Sequence, residues 1–217
     1  MKIRRIPEKK SKANIETILK LSVSASLASL GIILSAIVVY IPNIEFISVT
    51  IFLIALLFGH YYGVITAVAI TIVYEFLVTS IYGSAGLLIF FKLFCYVCLA
   101  LIAGLGRKSF LKLSFWEFGI FGSLFALIYD LITTLGAQLI ILQSQITPHY
   151  IFLVLITGIP FTIIHFLGNF ALFSLTRNAI KWIISAFKHR GIKLLMMPVF
   201  LETKKERIPQ QKVIQYE

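Results

Sequence analysis

Residues 63–82 have the sequence GVITAVAITIVYEFLVTSIY, in which Glu75 is the only charged side chain. A helix needs about 20 consecutive apolar residues to cross the roughly 30 Å hydrocarbon core of a bilayer. This segment has that length and that composition. It therefore predicts a transmembrane helix that carries a carboxylate inside the membrane.

The rest of the chain has the same character. Of its 217 residues, 59% are hydrophobic and 13% are charged, with a mean hydropathy of +0.95. Soluble domains average about 45–50% apolar and about 25% charged residues. The apolar residues also fall in long blocks rather than at every third or fourth position. We therefore expect an all-α, multi-pass protein of the cell membrane that is in contact with lipid.

Six apolar blocks predict a bundle of six transmembrane helices. The predicted spans are 21–41, 45–58, 63–82, 86–104, 114–141 and 149–176. The second block is short for a span. The others reach the usual length.

Basic residues predict the orientation of the spans. Lys and Arg are concentrated in three places: seven in residues 1–20, three after the fourth span (Arg107, Lys108 and Lys112) and five in residues 177–193. The connections after the first, third and fifth spans have none. Since Lys and Arg favour the cytoplasmic side, an even number of spans with both termini in the cytoplasm fits best. The net charge of +11 is then a feature of topology, and we expect no nucleic-acid partner.

Four regions follow from this topology. Residues 1–20 form a basic cytoplasmic segment, and 21–176 form the six-helix transmembrane domain. Residues 177–200 form either a basic amphipathic helix on the membrane surface or an extension of the sixth helix. Residues 201–217 form a polar tail.

Polar side chains recur on one face of several spans. Glu75 lies on the face of Thr71 and Thr79, and Asp130 lies on a face that ends at Gln138. Because a charge in hydrocarbon costs about 3 kcal/mol or more, such residues usually face the bundle interior. In the predicted topology Glu45, Glu75 and Lys92 lie near the outer surface, and Asp130 lies deeper.

Two interpretations of this arrangement stay open. Glu75 and Lys92 form a structural ion pair, or they line a cavity for a small molecule. The second interpretation gives five substrate-binding candidates: Glu45, Glu75, Lys92, Asp130 and Gln138. Asp130 either belongs to that binding site or forms part of a network that packs the helices together. For His165 and Asn169 we expect hydrogen bonds between helices.

The first span carries small residues on one face. Ser24, Ala25, Ala28 and Ser29 belong to this face. Small residues let helix backbones approach closely, so the face packs inside the bundle or docks against another membrane protein.

Motifs of catalysis and metal binding are missing. The sequence has no phosphate-binding Gly-x-x-x-x-Gly-Lys-Ser/Thr loop, no His-Glu-x-x-His and no Gly-x-Ser-x-Gly. Cys95 and Cys98 sit alone in an apolar block, which favours inert buried thiols over a redox or zinc site. We expect no enzymatic activity, no cofactor and no metal site.

Several segments resemble the substrate-binding S components of energy-coupling factor (ECF) transporters. Residues 41–68, IPNIEFISVTIFLIALLFGHYYGVITAV, are similar to the helix 2–3 region of that family, and residues 158–173, GIPFTIIHFLGNFALF, resemble its last span. The family's Ala-x-x-x-Ala docking motif is present here as Ser24/Ala28 and Ala25/Ser29.

The resemblance implies a function. An S component captures a vitamin or related micronutrient near the outer surface. It associates with a transmembrane coupling protein and two ATPase subunits, whose ATP hydrolysis drives inward release. On this chain Ser24, Ala25, Ala28 and Ser29 would contact the coupling protein. The alternative is a non-transporting six-span scaffold, similar to the rod-shape-determining membrane proteins, which would need no outer polar cavity.

Overall fold

The computed structural model describes residues 8–41, 43–83, 86–142 and 147–189, and within these ranges helices are joined by turns and short irregular segments, with no strand. The predicted tail 201–217, residues 190–200 and residues 1–7 lie outside the described part. Seven helices follow in chain order: α1 (Glu8–Ile37), α2 (Ile47–Phe58), α3 (His60–Tyr82), α4 (Leu88–Leu105), α5 (Arg107–Phe110), α6 (Phe115–Leu142) and α7 (Pro148–His189).

Five of these helices are long and apolar enough to cross a membrane: α1, α3, α4, α6 and α7. Their outward faces carry large exposed apolar side chains, such as Phe76, Phe94 and Phe152. In water such a surface would be unfavourable, but lipid solvates it. The described chain is therefore a helical membrane protein.

The short helix α2 forms the centre of the bundle. Its 12 residues span about 18 Å, which is less than the hydrocarbon thickness. Ten of them are buried, because α1, α3, α4, α5 and α7 all pack around the helix. Phe52 contacts the rings of Phe110, Phe118, Phe121 and Phe173. A helix with an apolar surface all round is stable only when it is covered in this way.

The carboxyl end of α2 is capped from two directions. The amide of Gly59 donates to the carbonyl of Ala55 at 2.9 Å, and φ of Gly59 is +95°, a conformation that glycine adopts without steric cost. Nη2 of Arg107 donates to the carbonyl of Leu57 at 2.7 Å. The positive charge of Arg107 also lies at the negative end of the α2 dipole.

The ends of the observed helices agree with the ends of the predicted spans at those places where polar residues or glycine interrupt the apolar sequence. Helices α3, α4 and α6 end within a few residues of the predicted spans. Helix α1, however, begins at Glu8 within the basic segment, and α7 continues without a break through residues 177–189. Helix α7 contains 42 residues and is about 63 Å long, roughly twice the hydrocarbon thickness.

The small residues of α1 divide between two faces. Ser24, Gly31 and Ser35 are buried, and a side chain at Gly31 would overlap Thr50 of α2. Ala28 also packs against the core, while Ala25 and Ser29 are exposed. Close packing inside the bundle therefore explains why the side chains at positions 24 and 28 are small. Only Ala25 and Ser29 of the four docking candidates face outward.

Candidate functional site

Glu75 of α3 and Lys92 of α4 form an ion pair inside the bundle. Nζ of Lys92 donates to Oε1 of Glu75 at 2.6 Å, and the two side chains are 18% and 7% exposed. The pairing expected from the helix faces is thus present. The second carboxylate oxygen, Oε2 of Glu75, is buried and has no hydrogen-bond partner among the described residues.

Glu45 reaches the interior because the chain between α1 and α2 folds inward. The side chain of Asn43 donates to the carbonyl of Phe161 in α7 at 2.9 Å, and the amide of Phe46 donates to Oγ of Ser35 in α1 at 2.7 Å. Irregular backbone at membrane depth is tolerated only when protein covers it and satisfies its polar groups. These two contacts fix the segment that carries Glu45.

Two buried tyrosines connect Glu45 to α6. The hydroxyl of Tyr96 in α4 donates to Oε1 of Glu45 and lies 3.2 Å from the hydroxyl of Tyr129. The two rings are 5.2 Å apart.

Asp130 pairs with His165 at the junction of α6 and α7. Nδ1 of His165 lies 2.6 Å from Oδ1 of Asp130, and the imidazole stacks edge-on against Tyr129 with 5.6 Å between the ring centres. Asn169, one turn along α7, accepts a hydrogen bond from Ser48 of α2 at 3.0 Å. The interhelical hydrogen bonds expected for His165 and Asn169 are therefore present.

These contacts link Glu45, Tyr96, Tyr129, His165 and Asp130, and Lys92 of the ion pair lies one turn before Tyr96 on α4. We call this interior cluster the polar network. It consists of Glu45, Glu75, Lys92, Tyr96, Tyr129, Asp130 and His165. It draws side chains from α3, α4, α6, α7 and the segment before α2, whereas the surrounding helix surfaces are apolar. Ionisable groups inside a membrane bundle are expensive, and they commonly mark a functional site.

Two carboxyl oxygens of the polar network and one amide oxygen elsewhere on α6 are buried without a hydrogen-bond partner among the described residues. They are Oε2 of Glu75, Oδ2 of Asp130 and Oε1 of Gln138, none of which meets a donor in the described ranges. Buried polar groups are nearly always hydrogen-bonded, so each such atom needs an explanation. All three are acceptors, and the missing partner is therefore a donor.

A cavity of about 310 Å³ lies between α6 and α7 beside Asp130. Thr134 of α6 and Thr162 of α7 provide further polar lining, and the remaining walls are Leu, Ile and Val side chains together with Gly158. Of the five predicted substrate-binding residues, only Asp130 is among those that line this cavity. Glu45, Glu75 and Lys92 belong to the polar network, and Gln138 makes no hydrogen bond within the described structure.

Sequence patterns missed one member of the polar network and one contact. The helix-face patterns do not single out Tyr129, and they do not predict that Tyr96 donates to Glu45. A signal for both exists, because a tyrosine hydroxyl in the middle of an apolar helix needs a hydrogen-bond partner.

The cysteines contribute no ligand cluster. Cys95 is buried and Cys98 is partly buried, and both are free thiols. No group of three or more His, Cys, Asp or Glu side chains in the described ranges is arranged to hold a metal ion.

Comparison of the chain with protein-family models, with curated proteins and with solved structures gives no match in any of the three. The function must therefore be inferred from the residues and their geometry.

The Glu75–Lys92 pair provides a test of the buried charges. Lys92→Met leaves the carboxylate unpaired, and we expect the free energy of unfolding to fall by about 3–5 kcal/mol. The double variant Lys92→Met with Glu75→Leu removes both charges, and it should recover most of that loss. The measurement is denaturation of the full chain in mixed detergent micelles.

Lys20→Met is the matched control, because Lys20 pairs with Glu16 at 3.0 Å where the glutamate is half-exposed. An i,i+4 helix pair whose carboxylate is half-exposed contributes about 0.3–0.5 kcal/mol, so this variant should unfold almost like the parent chain. Equal losses for Lys92→Met and Lys20→Met would show that the Glu75 carboxylate is not confined to a low-dielectric interior.

Proposed function

We propose that this protein is the substrate-binding membrane subunit of an importer of the energy-coupling factor type. It captures a vitamin or related micronutrient in the outer half of the bundle, and partner ATPases supply the energy for inward release. The polar network with its unsatisfied acceptors, next to a cavity, is the observation that carries this proposal.

The charges of the polar network favour a binding site over a purely structural one. The network contains three carboxylates, on Glu45, Glu75 and Asp130, and a single lysine, Lys92. A protonated His165 would compensate one further carboxylate at most. A buried ionic cluster that serves stability alone gains most when its charges are paired and every polar atom is satisfied. This cluster contains more carboxyl groups than basic partners, and two of its carboxyl oxygens have no hydrogen-bond partner among the described residues.

In the orientation predicted from the basic residues, Glu45, Glu75 and Lys92 of the network lie toward the outside. In this orientation the turn at Gly59 is cytoplasmic, and α3 runs outward from it. Glu75 then lies in the outer half of α3, and Lys92 lies in the first turns of α4. A site in this position receives solutes from outside the cell. The exposed residues Ala25 and Ser29 of α1 provide a smooth surface for the coupling protein, in keeping with the ECF resemblance.

The first test asks whether the purified chain holds a small molecule. We expect native mass spectrometry of gently purified protein to show a bound nutrient, and a panel of vitamins to contain a compound that raises Tm. A ligand at a hundred times its Kd stabilises by about 2.7 kcal/mol. Glu75→Gln should weaken binding at least about tenfold, because a charged hydrogen bond contributes about 1.5–3 kcal/mol.

Glu16→Gln is the control for this experiment, since Glu16 lies on the exposed surface of α1. It should bind like the parent chain. A broad panel that yields no bound molecule and no change in Tm would contradict the proposal and favour a scaffold.

A second test addresses the coupling partners. Ala25 is exposed, so Ala25→Trp enlarges the outer face of α1 without disturbing the core. We expect affinity purification from native membranes to recover a multi-span protein and two ATPases with the parent chain. The Trp variant should recover at least about tenfold less while its ligand binding is unchanged. Leu124→Trp, at an exposed position of α6, is the control. Equal recovery with both variants would show that α1 does not dock the partner.

A further inference from the structure

The cavity between α6 and α7 opens toward the lipid. The large apolar residues along it are half-exposed on the outer surface of the bundle: Leu131 is 47% exposed, Ile159 is 50% and Ile163 is 52%. In a membrane these side chains meet acyl chains. A molecule dissolved in the bilayer can therefore reach the cavity without passing through water.

Asp130 gives this apolar cavity one strong polar anchor. Its Oδ1 is held by His165, which fixes the carboxylate in place, and its Oδ2 is buried without a partner in the described structure. A carboxylate accepts hydrogen bonds only. The hydroxyls of Thr134 and Thr162 flank it on the two helices.

We propose that the α6–α7 cavity binds a small amphipathic amine from the bilayer, with its protonated amino group at the Asp130 carboxyl group and its apolar part along the walls. This inference rests on the proposed function, because it names the substrate class of that site and its route of entry. An ammonium group both donates hydrogen bonds to a carboxylate and pairs with its charge. An alcohol would do only the first, and a carboxylic acid would be repelled.

The size of the cavity limits the ligand. Its volume of about 310 Å³ is at the lower end of the range typical for small-molecule sites. It is about ten times the ~30 Å³ that a water molecule occupies in the liquid. An amine with a short hydrocarbon chain fits, whereas a full two-chain lipid does not.

Gly158 offers a way to close the cavity without overpacking the core. A Cβ built at this position meets no atom within 4 Å, so the space in front of it is open. A leucine there would fill the cavity with its own side chain. Ala171→Leu adds the same bulk to an exposed position of the same helix and is the matched control.

The experiment uses the full chain in lipid nanodiscs with three probes of equal chain length: octylamine, octanol and octanoate. Binding is measured by titration calorimetry, with empty nanodiscs subtracted, and by the shift in Tm. We expect octylamine alone to bind saturably and to raise Tm. Gly158→Leu should abolish both effects, and Ala171→Leu should retain them. Asp130→Asn keeps the shape of the side chain but removes its charge. This variant should weaken the binding of octylamine at least about tenfold.

The outcomes separate this inference from the proposed function. Equal binding of the three probes, or octylamine binding that survives Gly158→Leu, would overturn the inference. A nutrient found with the purified chain that is not an amine, or that still binds after Gly158→Leu, would overturn it while leaving the proposed function intact. Saturable octylamine binding that Gly158→Leu abolishes, without any nutrient capture, would support the cavity assignment and count against the importer.

Discussion

A carboxylate inside a bilayer requires partners, and the arrangement of this bundle follows from how Glu45, Glu75 and Asp130 obtain them. Each reaches its partner across a helix boundary: Tyr96 for Glu45, Lys92 for Glu75 and His165 for Asp130. Lipid offers no hydrogen bonds, so these contacts must come from the protein itself. The contacts therefore fix which helices are neighbours and in what register they pack.

The short helix α2 makes this arrangement possible. Because it spans only part of the membrane thickness, the chain before it can fold into the bundle and carry Glu45 to Tyr96. The cost of this irregular backbone is reduced by Asn43 and Ser35, which tie it to α7 and α1. A full-length second span would leave no space for this segment. The inward-folded segment before the short helix α2 thus brings a third carboxyl group, that of Glu45, into the polar network.

Much of the fold could be predicted from the sequence, because a helix that crosses lipid must be built from a long run of apolar residues. Long apolar blocks bounded by glycine or polar residues gave α3, α4 and α6 nearly to their ends. The start of α1 at Glu8 was missed, since charged residues mark where a helix leaves the membrane and not where it stops. The continuation of α7 through residues 177–189 is one of the two alternatives that the sequence left open. The pairing of Glu75 with Lys92 followed from helix face and depth. The contacts of Tyr129 and the pairing of Asp130 with His165 depend on how α6 crosses α4 and α7, and no spacing within one helix encodes that.

The most direct test of the account is an electron cryo-microscopy structure of the full chain in lipid nanodiscs, bound to an antibody fragment and purified without washing out small molecules. We expect density for a non-protein molecule in contact with the Asp130 side chain, at the cavity between α6 and α7. The opposite result would be an empty cavity in which Oδ2 of Asp130 and Oε2 of Glu75 are both hydrogen-bonded by the protein's own side chains. Such a network would be complete in itself, and the bundle would then have no need of a ligand.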